Sequence, residues 1–246
     1  MNKLLKGKIA FITGASGDIG LAITKEFIKN GAKVIISYRK KNPEMKKFCK
    51  LNPSKIIQTL KFDLENLEQM KKQVKKILDK KINIDILVNS AGIASGSIFE
   101  MTSLAQMKKM FEVNFFSQIV LTQLIVKLMK KSPNASICNI GSISGIVPYR
   151  GNLSYGSSKA ALMFATKILS KELLVYKIRV NSIAPSVVTS KMADRMDKKV
   201  REKMINNSSI KRECKPEEVA KFVSKISSDK SIKINGRIFK IDGDTK

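Results

Sequence analysis

The sequence predicts one α/β domain, built on a doubly wound parallel sheet of about seven strands with helices on both faces. Three observations support this fold class. The 246 residues and the 43% apolar composition are enough for one buried core. Short β-branched runs alternate with helical patterns, which is typical of strands joined by crossover helices. The runs IAFIT and IDILVN are continuously apolar, as strands buried on both faces of a sheet are.

These patterns place seven strands and five long helices along the chain. The strands are predicted at residues 8–13, 33–37, 56–61, 84–89, 136–140, 179–183 and 237–241. The helices are predicted at residues 19–30, 67–80, 104–130, 157–175 and 216–226. Gly31 suits the end of the first helix and Pro216 suits the start of the last. No repeat or linker divides the chain, so residues 1–246 are predicted to form a single domain.

The charge balance is strongly basic, with 47 Lys and Arg against 20 Asp and Glu, a net charge of +27. Such a surface raises the question of a nucleic-acid or membrane partner. The basic residues are mostly lysines spread along the whole chain, whereas a nucleic-acid site needs clustering with arginines and aromatics. We therefore predict a solvated surface without a specific nucleic-acid or membrane partner, although it would attract phosphorylated cofactors or an acidic carrier protein.

Cysteine and histidine content argues against a metal site. The three cysteines are widely spaced, no CxxC pair occurs, and the chain has no histidine. Free thiols indicate a reducing compartment. The N-terminal apolar run 9–12 is too short for a signal sequence, and the longer run 119–129 contains polar residues typical of a buried helix. We predict a soluble, cytoplasmic protein.

A glycine-rich stretch, TGASGDIG, follows the first predicted strand and precedes a helix. Glycines there let the backbone turn sharply and approach a pyrophosphate, which binds the free amides and positive dipole end of a helix N-terminus. Turns of this kind also occur without a ligand, so the stretch alone only favours a nucleotide. Its candidate cofactor-binding residues are Gly14, Ser16, Asp18, Ile19 and Gly20.

The ends of the next three strands supply further candidates for binding a cofactor. The second strand offers no acid for the ribose hydroxyls of NAD, but Arg39 can pair with a 2′-phosphate, so we predict NADP(H) in preference to NAD(H). The alternative is that Arg39 is one more solvated cation. The candidates after the third and fourth strands are Asp63, Leu64, Asn89, Ala91 and Gly92, which would lie beside the adenine and ribose or else serve as caps and turns.

A serine, a tyrosine and a lysine follow the fifth strand at a suggestive spacing. Ser142 ends the strand, Tyr155 comes 13 residues later, and Lys159 lies one helical turn further on the same face. We expect the ammonium to lower the pKa of the phenol from its ordinary value of about 10. Tyr155 would then protonate an alkoxide as hydride arrives, while Ser142 steadies the carbonyl oxygen. A YxxxK motif alone is common in helices, so the prediction depends on its combination with Ser142 at this spacing.

Together these motifs resemble the short-chain dehydrogenase/reductase family over nearly the whole length. The matching stretches are TGASGDIG, NSAG, EVNFFS, YGSSK, RVNSIAPSVVTS and INGRIFKIDGD. The resemblance implies a Rossmann-type sheet, a nicotinamide cofactor and a catalytic tetrad of Asn114, Ser142, Tyr155 and Lys159. It also implies that Lys159 holds the nicotinamide ribose and that Asn114 anchors a water relay. The stretch with Pro185, Val188 and Thr189 would meet the nicotinamide.

Within the family the chain is most similar to 3-oxoacyl-acyl-carrier-protein reductases, with departures. Asp18 occupies the second glycine position of the usual TGxxxGxG, where its charge faces the pyrophosphate. We therefore predict that Asp18→Gly lowers the dissociation constant for NADPH. The chain also has Leu153-Ser154 before the tyrosine and Pro185-Ser186 after the sixth strand, so the substrate is less certain than the tetrad.

The segment 186–214 separates two recognisable elements and is predicted to form a lid over the site. Its methionines 192, 196 and 204 either adapt to an apolar ligand or are helix core. The long helices 104–130 and 157–175 carry more apolar residues than one sheet face needs. In the resembled family these helices form a dimer interface, so we expect a homodimer or homotetramer.

Two classes of function follow. The first is an NADPH-dependent reductase of ketones, with a 3-oxoacyl thioester as the main substrate prediction and a sugar-derived, steroid or other small carbonyl as the alternative. The second class is a non-catalytic dinucleotide sensor or nucleic-acid-binding protein that kept the fold. The charge and Asp18 favour the second class, and the complete tetrad favours the first.

Overall fold

The computed structural model describes residues 3–242, and its centre is a seven-stranded sheet. The strands lie in the order β3-β2-β1-β4-β5-β6-β7, and neighbouring strands run parallel. They are β1 Ile9–Ile12, β2 Lys33–Tyr38, β3 Ile56–Lys61, β4 Ile86–Asn89, β5 Ala135–Ile140, β6 Ile178–Pro185 and β7 Ile238–Ile241. The predicted fold class is confirmed, and each predicted strand is found within two residues of its expected bounds.

Eight α-helices are found among the described residues. They are α1 Asp18–Lys29, α2 Pro43–Leu51, α3 Leu67–Leu78, α4 Leu104–Phe111, α5 Ser117–Met129, α6 Leu153–Glu172, α7 Lys198–Asn206 and α8 Pro216–Ser227. A π-helical segment, Glu112–Phe116, joins α4 to α5. The prediction of one regular α-helix over 104–130 is therefore wrong, because one wide turn interrupts it. Two helices were not predicted, α2 and α7, which have 9 residues each and bury a single methionine apiece.

Two apolar cores, one on each face of the sheet, hold the helices in place. On one face α1 and α8 pack together, with Ile23, Phe27 and Val223 fully buried. On the other face α3 and α5 contribute Val74 and Leu121 to the second core. Helices on both faces leave the sheet ends as the places where a ligand can approach.

The stretch Leu104–Met129 is the one helical run within residues 3–242 that is long and apolar enough to cross a membrane by length and composition. One side of it belongs to the second core, where Leu121, Ile125 and Met129 are fully buried. A core helix of a doubly wound sheet has the same composition, so this stretch is accounted for by the fold.

The order of the strands reverses between β1 and β4. The chain builds outwards from β1 to β3 at one edge and then returns to place β4 on the other side of β1. The carboxyl ends of β1 and β4 are tied together by Thr13, whose hydroxyl oxygen accepts hydrogen bonds from the amides of Ser90 and Ala91 at 2.9 and 3.0 Å. Ligands of such sheets bind at this switch point.

Candidate active site

The turn after β1 brings the backbone close to β4 and opens a helix N-terminus. Gly14 has a positive φ of 65°, and a Cβ there would lie 2.7 Å from the Cα of Ala91. A Cβ on Gly20 would collide with the carbonyl oxygen of Gly14. Gly17 is the N-cap of α1 and has no side chain to cap the helix, so the first-turn amides remain suited to an anion.

Two hydrogen bonds from the β2 side hold this turn in place. The amide of Ala15 donates to the carbonyl oxygen of Ser37 at 2.9 Å, and the side-chain amide of Asn42 donates to the carbonyl oxygen of Ser16 at 2.7 Å. Asn42 also caps α2 by accepting a bond from the amide of Met45. Asn42 was not among the predicted site residues, because its role depends on a contact 26 residues away in sequence.

Arg39 and Asp63 lie together at the ends of β2 and β3. A guanidinium nitrogen of Arg39 is 3.7 Å from a carboxylate oxygen of Asp63, and the Arg39 side chain is 59% exposed. The other Asp63 oxygen accepts a bond from the amide of Glu65, so the carboxylate is fixed as an Asx turn. Arg39 is thus oriented by a partner yet still accessible to a ligand phosphate. Leu64, by contrast, is buried in the second core.

Asn89 is buried beneath the site instead of facing a ligand. Its side-chain amide donates to the hydroxyl of Thr122 at 3.0 Å and to the side-chain oxygen of Asn139 at 2.8 Å. Asn139 in turn donates to Thr166 on α6. This buried network joins β4 and β5 to α5 and to α6, the helix that carries Tyr155 and Lys159, which indicates a supporting role for Asn89.

Ser142, Tyr155 and Lys159 are brought together at the end of β5. Helix α6 begins at Leu153, four residues earlier than predicted, so Tyr155 lies in its first turn and Lys159 in the next. The Ser142 hydroxyl lies close enough to the Tyr155 phenol to affect the pKa of the phenol. The Lys159 ammonium is buried and donates to the carbonyl oxygen of Ile140 at 2.7 Å.

Burial controls the titration of both Tyr155 and Lys159. It raises the pKa of Tyr155 above its ordinary value, and the Ser142 hydroxyl offsets only part of this effect. Burial lowers the pKa of Lys159 to about 8. The expected lowering of the Tyr155 pKa by the lysine is therefore not found. The physical reason is that desolvation of the phenolate dominates, and the ammonium is directed at Ile140.

Asn114 lies in the π-helical segment and joins two parts of the site. Its side-chain oxygen accepts a bond from the amide of Ile93 at 2.9 Å, and its side-chain nitrogen donates to the Ile93 carbonyl and to the Ser158 hydroxyl, both at 3.0 Å. The wide turn of a π-helix re-aims a side chain that a regular α-helix would place elsewhere. Asn114 thus holds the loop after β4 against α6 through its bond to Ser158. Ser158 was not among the predicted site residues, although it lies between Tyr155 and Lys159.

A cleft of about 510 Å³ runs along the carboxyl edge of the sheet. It reaches from Ile19 at the glycine-rich turn, past Ser142, Tyr155 and Lys159, to Met204 on α7. Among the predicted cofactor residues Gly92, Pro185 and Val188 also line it, and so do the three methionines 192, 196 and 204. The methionines of the predicted lid therefore face the cleft.

Thr189, a predicted cofactor-binding residue, is not among the residues that line the cleft. The Thr189 hydroxyl donates to a carboxylate oxygen of Glu213 at 2.8 Å, at the outer side of the segment. The next residue, Ser190, lines the cleft. One step along an irregular segment turns the side chain to the other side, and the sequence carries no signal for that direction.

The residues at the cleft fit a nicotinamide dinucleotide. A Cβ on Gly92 would come within 3.1 Å of the Asn114 side-chain oxygen and 3.3 Å of the Lys159 ammonium, so a glycine here leaves room for these two side chains. The uncapped N-terminus of α1 suits a pyrophosphate, and Arg39 suits a phosphate beyond it. No group of three candidate metal ligands occurs in residues 3–242.

Comparison with known proteins agrees with this geometry. The sequence profile of the short chain dehydrogenase family matches residues 8–201. A 3-oxoacyl-[acyl-carrier-protein] reductase, FabG, of Thermotoga maritima is 34% identical over 241 residues, covering 97% of this chain and 98% of that protein. A 3alpha-hydroxysteroid dehydrogenase of Mediterraneibacter gnavus is 28% identical, covering 99% of this chain and 98% of that protein.

A solved structure gives the same result for the fold. The Pseudomonas aeruginosa RhlG/NADP active-site complex superimposes with a TM-score of 0.88 at 29% identity, and the match covers 99% of this chain and 98% of that one.

Proposed function

Because this chain belongs to the short chain dehydrogenase family, we propose that it is an NADPH-dependent reductase of 3-oxoacyl thioesters. The broader activity follows from the family and its relatives: the protein is an NAD(P)-dependent oxidoreductase acting on CH–OH or C=O groups. The observation that supports the proposal is the meeting of Ser142, Tyr155 and Lys159 in the cleft at the switch point of the sheet.

The side chains divide the work between orientation and proton transfer. When bound, the nicotinamide supplies the hydride that reduces the carbonyl carbon. Tyr155 stays protonated at neutral pH because burial raises its pKa, so the phenol donates its proton to the oxygen that becomes the alcohol. Ser142, which lines the cleft beside the phenol, directs the carbonyl oxygen to the same point. Lys159, whose ammonium donates to the Ile140 carbonyl and lies near Gly92, would hold the nicotinamide ribose.

Cofactor preference in this proposal depends on Arg39. The guanidinium is oriented by Asp63 and remains 59% exposed at the end of β2, where a 2′-phosphate would bind. The related RhlG structure is a complex with NADP, which supports the same choice.

The substrate is the less constrained part of the proposal. The FabG relative at 34% identity favours a thioester carried by an acyl carrier protein. The alternative is another small carbonyl such as a steroid, which the hydroxysteroid relative at 28% identity favours. The cleft wall of Ile93, Val187, Met192 and Met204 is apolar. A cleft wall of this composition accepts either an acyl chain or a ring system.

Assembly and location complete the proposal. We propose a homodimer or homotetramer in the cytoplasm, with no specific nucleic-acid or membrane partner. Helix α6 supports the first part, because Phe164 and Ile168 remain 64% and 45% exposed one turn apart in the single chain. Gel mobility at physiological salt tests the nucleic-acid statement, since scattered lysines bind DNA only weakly there.

The test measures the loss of NADPH absorbance with acetoacetyl thioesters and, in parallel, with a steroid ketone and a small cyclic ketone. Fast turnover of the thioester is the expected result. Tyr155→Phe is expected to lower kcat by about 10²-fold to 10⁴-fold, because the proton donor is lost, while NADPH binding by fluorescence titration is unchanged.

Tyr176→Phe is the matched control. Tyr176 precedes β6 and lies at the opposite end of the sheet, where Lys130 covers its ring. This control should keep wild-type activity. Preferential turnover of the steroid would replace the thioester by the alternative, and full activity in Tyr155→Phe would overturn the catalytic assignment.

A further inference from the structure

Asp18, the residue that departs from the family pattern, contacts the predicted lid. A carboxylate oxygen of Asp18 accepts a hydrogen bond at 2.9 Å from the backbone amide of Lys191, a residue 173 positions away. Asp18 is the first residue of α1, at the glycine-rich turn, and Lys191 belongs to the segment 186–214. The bond therefore connects α1 to the predicted lid at the end of the cleft where the glycine-rich turn would bind a pyrophosphate.

The charge of Asp18 has two opposing effects at this position. A carboxylate in the first turn is stabilised by the helix dipole. A bound pyrophosphate would use the same dipole and the same amides, so the two negative charges disfavour each other. A glycine at position 18 would remove this repulsion, and it would also remove the bond to Lys191. Compared with a glycine at this position, Asp18 would thus weaken cofactor binding but add a contact with the lid.

The residues on either side of Lys191 face the cleft. Ser190 and Met192 both line it. The Ser190 hydroxyl donates to the Val188 carbonyl at 2.9 Å and accepts from the amide of Ala193 at 3.2 Å, so this stretch forms one compact turn. Fixing the Lys191 amide consequently fixes the position of two cleft-lining side chains.

The other side of the same segment is held by a second carboxylate. Glu213 accepts the Thr189 hydroxyl at 2.8 Å and pairs with Arg201 of α7 at 2.6 Å. The Asp18 bond lies on the cofactor side and the Glu213 bonds lie on the α7 side. Ala193, at the end of the turn, packs in an apolar cluster with Ile143 and Met204, and Asp18 adds the hydrogen bond from the α1 side.

We propose that Asp18 is a positioning residue, which holds the lid turn at residues 190–193 over the cleft through the amide of Lys191. This role rests on the proposed reductase function, because the turn it holds lines the carbonyl site. Asp18 acts on the carbonyl substrate through the lid and on the cofactor through its charge, and the two effects have opposite signs.

Hydrogen exchange in the cofactor-free protein tests the contact directly. In Asp18→Ala the amides of residues 190–196 are expected to exchange about tenfold faster, as the loss of a bond to a charged acceptor implies. Asp18→Asn retains a neutral side-chain acceptor and should exchange more slowly than Asp18→Ala. Glu217→Ala is the matched control, since Glu217 is an exposed acid in the first turn of α8.

Binding and kinetics then separate positioning from overall stability. Asp18→Ala should raise KM for the carbonyl substrate about tenfold while the dissociation constant for NADPH stays constant or falls. Asp18→Asn should bind NADPH more tightly with KM near the wild-type value. The melting temperatures of both variants provide the check that the fold is intact.

Three results would overturn the proposal: unchanged exchange at residues 190–196 in Asp18→Ala, equally fast exchange in Asp18→Asn, or equal acceleration in Glu217→Ala. These exchange results do not depend on turnover. A wild-type protein that fails to reduce any ketone would refute the reductase function alone, and the exchange data would still decide the contact.

Discussion

The Ser142 hydroxyl and the Tyr155 phenol lie together in the cleft, where the end of β5 meets the first turn of α6. Ser142 is 8% exposed, and its oxygen also accepts a bond from the amide of Ser144 at 3.2 Å. The hydroxyl therefore has a fixed direction before a substrate arrives. It is also the group that partly offsets the effect of burial on the Tyr155 pKa.

Replacing Ser142 with alanine tests this relationship. We expect kcat for carbonyl reduction to fall about 10²-fold to 10³-fold, because a preorganised donor to the reacting oxygen is lost. In the direction of alcohol oxidation Tyr155 must act as a base. Without Ser142 the pKa of Tyr155 rises further, so the increase of rate with pH should shift to higher pH.

The control for this prediction is Ser136→Ala on the same strand. Ser136 is fully buried at the start of β5, and its hydroxyl has no hydrogen-bond partner among the described residues. Its removal should leave both kcat and the pH profile unchanged. A Ser142→Ala enzyme with wild-type kcat would contradict the role assigned to Ser142.

Arg39 carries the second prediction, which concerns the choice of cofactor. Arg39→Ala should raise the dissociation constant for NADPH about 10-fold to 100-fold, the range expected for a lost charge-assisted contact. Binding of NADH, which has no 2′-phosphate, should change by less than about threefold. Fluorescence titration of both cofactors measures the difference.

Lys47→Ala on α2 is the matched control for the general effect of positive charge. Lys47 is exposed on the helix that follows Arg39 in the chain, and its removal also lowers the net charge by one. The control should weaken NADPH binding only slightly. Equal losses for NADPH and NADH in Arg39→Ala would refute the phosphate contact.

The sequence predicted those parts of the site that depend on spacing within one element. Tyr155 and Lys159 are one helical turn apart wherever the helix begins, so they meet Ser142 as soon as α6 follows β5. Arg39 and the glycine-rich turn were placed at strand ends in the same way. The parallel order of the strands then brings those ends to one edge of the sheet.

The remaining features depend on contacts between distant residues. Asn114 points to Ile93 because of a π-helical turn, and nothing in the residue pattern of EVNFF indicates the extra residue per turn. The bond between Asp18 and the Lys191 amide involves a backbone group, which leaves no trace in side-chain identity. The pKa of Tyr155 depends on how fully the fold excludes water, and spacing cannot report that.

The third prediction concerns the exposed apolar face of α6. Leu153, Phe164 and Ile168 are 43%, 64% and 45% exposed, and Phe116 of the neighbouring π-helical segment is 51% exposed. We expect this face to be buried in a two-fold interface. Phe164→Glu should weaken the dimer about 100-fold or more, since each protomer loses a buried aromatic side chain.

Analytical ultracentrifugation measures this change, with Leu51→Glu as the control. Leu51 is 70% exposed at the end of α2, which packs on the opposite face of the sheet. The control should keep the assembly of the wild type. A monomeric wild-type protein at micromolar concentration would refute the interface.

The last prediction concerns Lys159, whose charge is needed for the proposed function but destabilises the folded protein. Lys159 is 4% exposed, and burial lowers its pKa from 10.5 to about 8. Below pH 8 the folded protein holds a buried charge that the unfolded chain would solvate. The shift corresponds to a cost of about 3 kcal/mol in the free energy of unfolding at pH 7. Lys159→Met should therefore inactivate the enzyme and yet stabilise it.

The effect of Lys159 on the free energy of unfolding should depend on pH in one direction. Between pH 8 and 10.5 the unfolded chain binds more protons at Lys159 than the folded protein does, so the destabilisation disappears as pH rises. Urea unfolding should show a gain of about 1–3 kcal/mol for Lys159→Met at pH 7, reduced by the lost bond to Ile140, and a gain below about 1 kcal/mol at pH 10. Two results would contradict this prediction: Lys159→Met is less stable than the wild type at pH 7, or its gain in the free energy of unfolding grows towards pH 10. Burial of the Lys159 charge would then not destabilise the folded protein. The low pKa of Lys159 would then not indicate that the protein loses folding stability in order to keep a charge at the cofactor site.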